Sequence, residues 1–236
     1  MSKKLKLVFG CIYLLCLGVL LYFVFKYLDI TQLGNYDYIK SNSETLIEFK
    51  EDNLILFTLI FLIFTIVWIL LLGFGTPIAL TSGFIFGKWF GTIFSVLSFS
   101  VGCTLLYIVA NYYFKNLIKE NLEKRIHEYK VLFNKNEFFY YMIFRFVGGG
   151  GTPFAIQNIL PVVFDMRIKN YFYSTLLGLV PMVFIVNSLG AGIENLIDTN
   201  NNLSMLTIIK APEIYLPIMG FFLIMLLAYF VKKRFL

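Results

Sequence analysis

A six-residue phrase occurs twice in this chain, each time where a long apolar stretch breaks: Gly75-Thr76-Pro77-Ile78-Ala79-Leu80 returns as Gly151-Thr152-Pro153-Phe154-Ala155-Ile156. The same 76-residue offset pairs Ser98 with Ser174 and Gly102 with Gly178. Glycine and proline suit a helix interior poorly, yet both phrases stand inside membrane-grade hydrophobic sequence. Corresponding interruptions in two halves of a membrane protein point to a buried binding or transport site between structural repeats.

Of the 236 residues, 59% are hydrophobic and 14% charged, well below the roughly 25% charged residues of a soluble domain. The apolar runs are too numerous for a soluble core and too continuous for the alternating strands of a barrel, so the fold class is all-α and the chain is an integral membrane protein. The net charge of +6 sits beside apolar segments, where it reads as orientation signal and headgroup contact and not as a nucleic-acid surface. Cys11, Cys16 and Cys103 fall within apolar runs without paired spacing, which suggests neither disulfide nor metal nor cofactor.

The expected architecture is polytopic, with about five spanning helices at residues 5–28, 54–72, 92–114, 171–189 and 214–231. The first run exceeds a signal-peptide core and no small-residue cleavage site follows, so it is read as a membrane helix. Two re-entrant hairpins, at 73–91 and 138–164, are expected to oppose one another as an inverted repeat. Three regions follow: a membrane helix with its polar connection (1–53), a core holding both hairpins (54–192), and a polar loop with a last helix (193–236). The segment 115–137 repeats apolar residues at three- and four-residue steps, as a helix lying in the membrane interface does. Its basic residues and the Lys232-Lys233-Arg234 tail favour the cytoplasm, in conflict with Lys3, Lys4 and Lys6 if all five segments cross.

Arg145, inside FFYYMIFRFVGGGG, is the sharpest candidate for chemistry. A guanidinium at membrane depth costs at least ~3 kcal/mol unless it meets an anion, water or carbonyl groups. Two readings stand: a planar fork that receives a lipid phosphate, or a side chain that snorkels to headgroups. Gly148, Gly149, Gly150 and Gly151 would add backbone amides to an anion site, or serve as a hinge. Gln157 and Asn158, like Asn111 and Asn187, should face inward, as interhelical bonds or as part of the site. Lys88 and Trp89 are expected at the turn of the first hairpin, Asp165 and Arg167 as a pair or cap, and His127 in solvent. No nucleophile elbow, zinc-protease helix, paired cysteine motif or carboxylate pair within a span is present, so the chain is not expected to be an enzyme.

The series Pro77, Gly83, Gly87, Gly91 and Gly102, then Arg145, Pro153, Asn158 and Leu177-Gly178-Leu179-Val180-Pro181, resembles the DedA superfamily, also called the VTT or SNARE-associated Golgi protein family. The resemblance covers about residues 54–190. The acidic residue that the bacterial branch carries beside the first hairpin is absent around 75–80, which aligns this chain with the other branch. The resemblance implies two re-entrant hairpins meeting from opposite faces and a role in moving phospholipids or polyprenyl-phosphate lipids between leaflets. The expected substrate site is Arg145, Gly148 to Gly151, Thr152, Pro153, Gln157 and Asn158, with Gly75, Thr76 and Pro77. Partners would be membrane lipids with phosphate-bearing headgroups in a bacterial inner membrane, and a homo-oligomer is admitted. The rivals are an ion-coupled transporter, which needs a titrating carboxylate such as Asp165 or Glu194, and a scaffold that recruits a partner through segment 115–133.

Overall fold

The computed structural model describes residues 52–71, 73–147, 152–199 and 211–235, together with Leu15, Gly18, Val19, Tyr22, Lys26 and Glu48. Most side chains from 117 to 135 and from 224 onward, His127 among them, lie outside the description. Regular structure among the described residues is all-helical, without strands.

Two compact units divide the chain, Met1–Thr58 and Leu59–Leu236. In the first, Leu15, Gly18, Val19, Tyr22 and Lys26 have helical backbone, and the Lys26 ammonium stands 5.8 Å from the Tyr22 ring centre. Helix α1 (Leu54–Leu70) begins there, Thr58 donating its hydroxyl to the Leu54 carbonyl at 2.7 Å.

In the second unit, both copies of the repeated phrase fall at breaks between helices, which end at Leu70 and Phe146 and resume at Gly75 and Phe154. Helix α2 (Gly75–Lys135) opens on Gly75-Thr76-Pro77, where the first-turn proline lacks only an N–H that would have no helical partner. Just before it, the Trp68 indole donates to the Phe74 carbonyl at 3.0 Å, folded over Gly73, which has no side chain to obstruct the ring.

Helix α2 is two helices joined at a reversal. Gly87 has φ 73 and ψ 173, open only to glycine. In a straight helix, Ser82 and Gly91 would lie ~13.5 Å apart along the axis, but the Ser82 hydroxyl donates to the Gly91 carbonyl at 3.1 Å. The rings of Phe86 and Phe94 meet at 5.1 Å, and a Cβ on Gly75 would lie 3.2 Å from the Phe99 ring. The first leg, 75–86, therefore folds back along the second, and Lys88 and the exposed Trp89 stand at the turn. Beyond Gly102 no glycine or proline interrupts the sequence up to Lys135, and the second leg stays helical throughout. The interface helix expected at 115–137 is thus the continuation of this leg and not a separate element.

Helix α3 (Glu137–Phe146) is capped by Asn136, whose side-chain oxygen accepts from the Phe139 N–H at 3.1 Å. Helix α4 (Phe154–Ile159) and a 3-10 turn (Leu160–Val162) return alongside it. Helix α5 (Ile168–Thr199) accommodates Pro181 and runs on past Glu194, where a polar connection was expected. Helix α6 (Pro212–Phe235) packs on α5.

Small residues set these approaches. A Cβ on Gly83 or Gly190 would overlap the carbonyls of Asn187 and Leu80, so the first hairpin lies directly on α5. Trp89 at its turn meets Phe184 at 5.0 Å. The end of the α3–α4 return is held by the second leg of α2, through the Tyr107 hydroxyl on the Met166 carbonyl and the Lys115–Asp165 ion pair. Arg167 bonds Glu137 at 2.7 Å, so Asp165 and Arg167 do not pair with each other: each is nearer an opposite charge on another helix. The sequence repeat recurs in packing. A Cβ on Gly102 would lie 2.9 Å from Ile69 Cβ and 3.0 Å from the Ile66 carbonyl; one on Gly178 would lie 2.5 Å from Arg145 Cβ and 2.7 Å from the Met142 carbonyl. Each of these three residues stands 76 positions before its counterpart.

Among the described residues, two helical stretches are long and apolar enough to cross a membrane, Gly75–Tyr113 and Ile168–Ile197; the first is the folded pair of legs, and Leu54–Leu70 and Ile214–Leu223 are shorter apolar helices. Leu59, Ile63 and Val67 of α1 and Leu216, Leu223 and Leu226 of α6 are exposed, as lipid-facing positions are.

Candidate functional site

Arg145, in the last turn of α3, is fully buried. Its Nη1 donates to Gln157 Oε1 at 3.2 Å, and its Nη2 to Asn158 Oδ1 and to the Tyr171 hydroxyl, the latter at 3.2 Å. The rings of Tyr141 and Phe154 lie 5.1 and 5.5 Å from its guanidinium carbon. The ion pairs among the described residues are Lys115–Asp165 and Arg167–Glu137, and neither involves Arg145. Neutral oxygens and ring faces balance this charge, a weaker compensation than a carboxylate gives.

Two prolines explain the position of the amides. Pro153 precedes α4 with an extended ψ of 141 and opens that helix at Phe154. Pro161 ends it, because it has no N–H to offer the Gln157 carbonyl four residues earlier. That carbonyl is satisfied from another helix, by the Tyr141 hydroxyl at 2.9 Å. The Tyr171 hydroxyl serves the next carbonyl, Asn158, at 3.3 Å. With the backbone of α4 tied by two phenols, the side chains of residues 157 and 158 reach Arg145. The Gln157 amide nitrogen donates to the Thr152 carbonyl at 2.7 Å, which fixes its oxygen toward the guanidinium.

Tyrosines from three helices form the wall of the site. Tyr171 stacks on Tyr107 at 4.6 Å and on Tyr141 at 5.3 Å. All three are buried. Arg145 Nε and Asn158 Nδ2, both buried, have no hydrogen-bond partner; both are donors.

Of the residues singled out from sequence, Arg145, Gln157 and Asn158 come together directly and Thr152 joins through its carbonyl. Gly75 comes close to the second phrase: a Cβ there would lie 3.6 Å from the Phe154 ring, which faces Arg145. Thr76, Pro77 and Pro153 are exposed. Gly148, Gly149, Gly150 and Gly151 lie outside the described residues. Snorkelling is overturned for Arg145, since a fully buried guanidinium reaches no headgroup region. Sequence reasoning missed Tyr107, Tyr141 and Tyr171. The spacing of Tyr141 four residues before Arg145 puts both on one helix face and was a usable signal; nothing local marks Tyr107 or Tyr171. Asn187, also buried, donates to the Val183 carbonyl at 2.8 Å and belongs to the packing against the first hairpin.

The VTT domain matches residues 66–192, more than half of the chain. The chain is similar to the uncharacterized protein YqeD of Bacillus subtilis (strain 168), 26% identical over 116 residues, which is 48% of this chain and 55% of that protein. It is also similar to Transmembrane protein 41 homolog of Caenorhabditis elegans, 23% identical over 175 residues, 70% of this chain and 68% of that one. The chain thus spans about half the length of the Bacillus relative. No solved structure matches it. The matched region holds the reversal at Gly87, the Arg145 cluster and most of α5, and the chain belongs to the VTT-domain family of membrane proteins.

Proposed function

We propose that this protein moves phospholipid or polyprenyl-phosphate lipid between the leaflets of a cell membrane, in the manner of a flippase or scramblase, with Arg145 receiving the headgroup phosphate. The observation that carries the reading is a fully buried guanidinium held only by neutral groups. Such a charge is costly to keep in an apolar bundle and attracts an acceptor-only ligand; phosphate oxygens match its fork. In this reading the chain is multi-pass, and the reversal at Gly87 and the α3–α4 return dip into the bilayer from opposite faces as an inverted repeat. Where they approach, at Gly75 and Phe154, a polar path opens. A proton- or sodium-coupled transporter is less well supported: its best carboxylate, Asp165, is partly exposed and paired with Lys115. The protein acts as a carrier, not an enzyme, with lipids as its partners and neither nucleic acid nor cofactor.

Reconstitution tests this. In vesicles of phosphatidylcholine, the protein should speed the inward movement of tail-labelled phosphatidylglycerol and leave tail-labelled glucosylceramide, which lacks phosphate, at the protein-free rate. Equal movement of both, or of neither, rejects a phosphate-directed path.

A further inference from the structure

Two of the three acceptors on Arg145 come from adjacent residues of one six-residue helix, and the third is the Tyr171 hydroxyl of α5. Gln157 Oε1 takes one arm of the guanidinium fork and Asn158 Oδ1 the other, a two-oxygen arrangement across Nη1 and Nη2 like that of a bidentate oxyanion. Both amides are buried, and with both arms occupied no second bidentate ligand fits. The remaining unpartnered groups, Arg145 Nε and Asn158 Nδ2, are donors and would serve an oxyanion.

We infer that Gln157 and Asn158 are internal stand-ins for the phosphate: they hold Arg145 in an occluded state, and headgroup oxygens replace them when α4 shifts. The inference rests on the proposed phosphate reading and changes the part the two amides play within it, from ligands to competitors. The helix is suited to such a shift. It has six residues, it is bounded by Pro153 and Pro161, and two phenols hold the Gln157 and Asn158 carbonyls of its last turn. Since both amides ride on one element, one displacement removes both amide oxygens from the fork and leaves only the Tyr171 hydroxyl on Nη2.

The test uses the purified full chain in detergent with dihexanoyl phosphatidic acid as probe, alongside the vesicle assay. Gln157→Met, which keeps the volume and removes the acceptor, should melt lower yet bind the probe about 2- to 10-fold tighter, the change one neutral hydrogen bond carries. Asn158→Asp, which puts a carboxylate permanently on the fork, should melt no lower than the unaltered protein and lose at least about tenfold in probe affinity. Weaker binding by Gln157→Met, or undiminished binding by Asn158→Asp, overturns the inference. If Gln157→Met does not fold, Asn158→Asp, equal in size to the native residue, decides alone. Arg145→Gln, which removes the cation, separates the two levels: unchanged binding and transport there defeats the phosphate reading itself, whereas loss there together with loss in Gln157→Met defeats only the competitor role.

Discussion

Ile69 and Arg145 are structural counterparts: each presses its Cβ against a glycine of a neighbouring helix, Gly102 for the first and Gly178 for the second. One repeated packing detail therefore carries an aliphatic side chain in one half and a buried cation in the other. Around them, Thr65, Ser82 and Ser95 stand 76 positions before Tyr141, Asn158 and Tyr171, and all six are buried. The packing detail and the burial recur, and the charge belongs to the second position alone.

Gly178→Ala should therefore damage the site through packing. Its methyl would meet Arg145 Cβ at 2.5 Å and the Met142 carbonyl at 2.7 Å, and backbone cannot yield cheaply. A loss of ~1–3 kcal/mol is expected, read as a lower melting temperature with impaired lipid movement. Gly220→Ala, whose nearest neighbour is Ile185 Cδ1 at 3.7 Å, is the control and should be nearly neutral.

Gly87→Ala probes conformation without crowding. Nothing lies within 4 Å of the added methyl, yet φ 73 with ψ 173 excludes L side chains. The expected loss is ~1–3 kcal/mol. Gly87→Asn should not rescue it, because ψ 173 falls outside the left-handed helical well that Asn tolerates. Thermal melts of both variants check the point, and a neutral Gly87→Ala would contradict the reversal.

Tyr141→Phe should remove the phenol that donates to the buried Gln157 carbonyl, at a cost of ~1–3 kcal/mol. Pro161→Ala restores an N–H that can reach the same carbonyl, so the double variant should lose less than the two singles added together. Strict additivity in the melting data would show that the phenol does not replace the missing proline donor.

Arg167→Ala should cost no more than ~1 kcal/mol, an effect that shrinks in high salt, since its side chain is largely exposed. Glu137→Ala should cost more. Its carboxylate is mostly buried and accepts from the Arg167 side chain, the Arg167 N–H and Asn170. Melts at low and high ionic strength separate the two.

Much of this was legible because the physics is local. Continuous apolar runs can satisfy their backbone only as helices, so the all-helical fold followed from composition, and the cost of burying a guanidinium picked out Arg145. The reversal could be placed between 73 and 91, but its residue could not be named: several glycines there serve helix contact, and only Gly87 takes a left-handed φ. The repeated Gly-Thr-Pro marks a helix break in both halves, and at Gly75 it also opens the next helix, because proline costs little in a first turn. The interface helix at 115–137 was misjudged because amphipathic spacing does not tell a new helix from the polar continuation of an old one. Tyr107 and Tyr171 escaped notice because long-range packing brings them to Arg145.

The central claim is that Arg145 handles a phosphate-bearing headgroup, and the rate at which tail-labelled phosphatidylglycerol leaves the outer leaflet of protein-containing vesicles tests it most directly. Unaltered protein should accelerate that loss, and Arg145→Gln, confirmed monodisperse and helical, should reduce the acceleration at least about tenfold, the equivalent of ~1.4 kcal/mol. An Arg145→Gln protein that moves the lipid as fast as the unaltered chain would contradict the account.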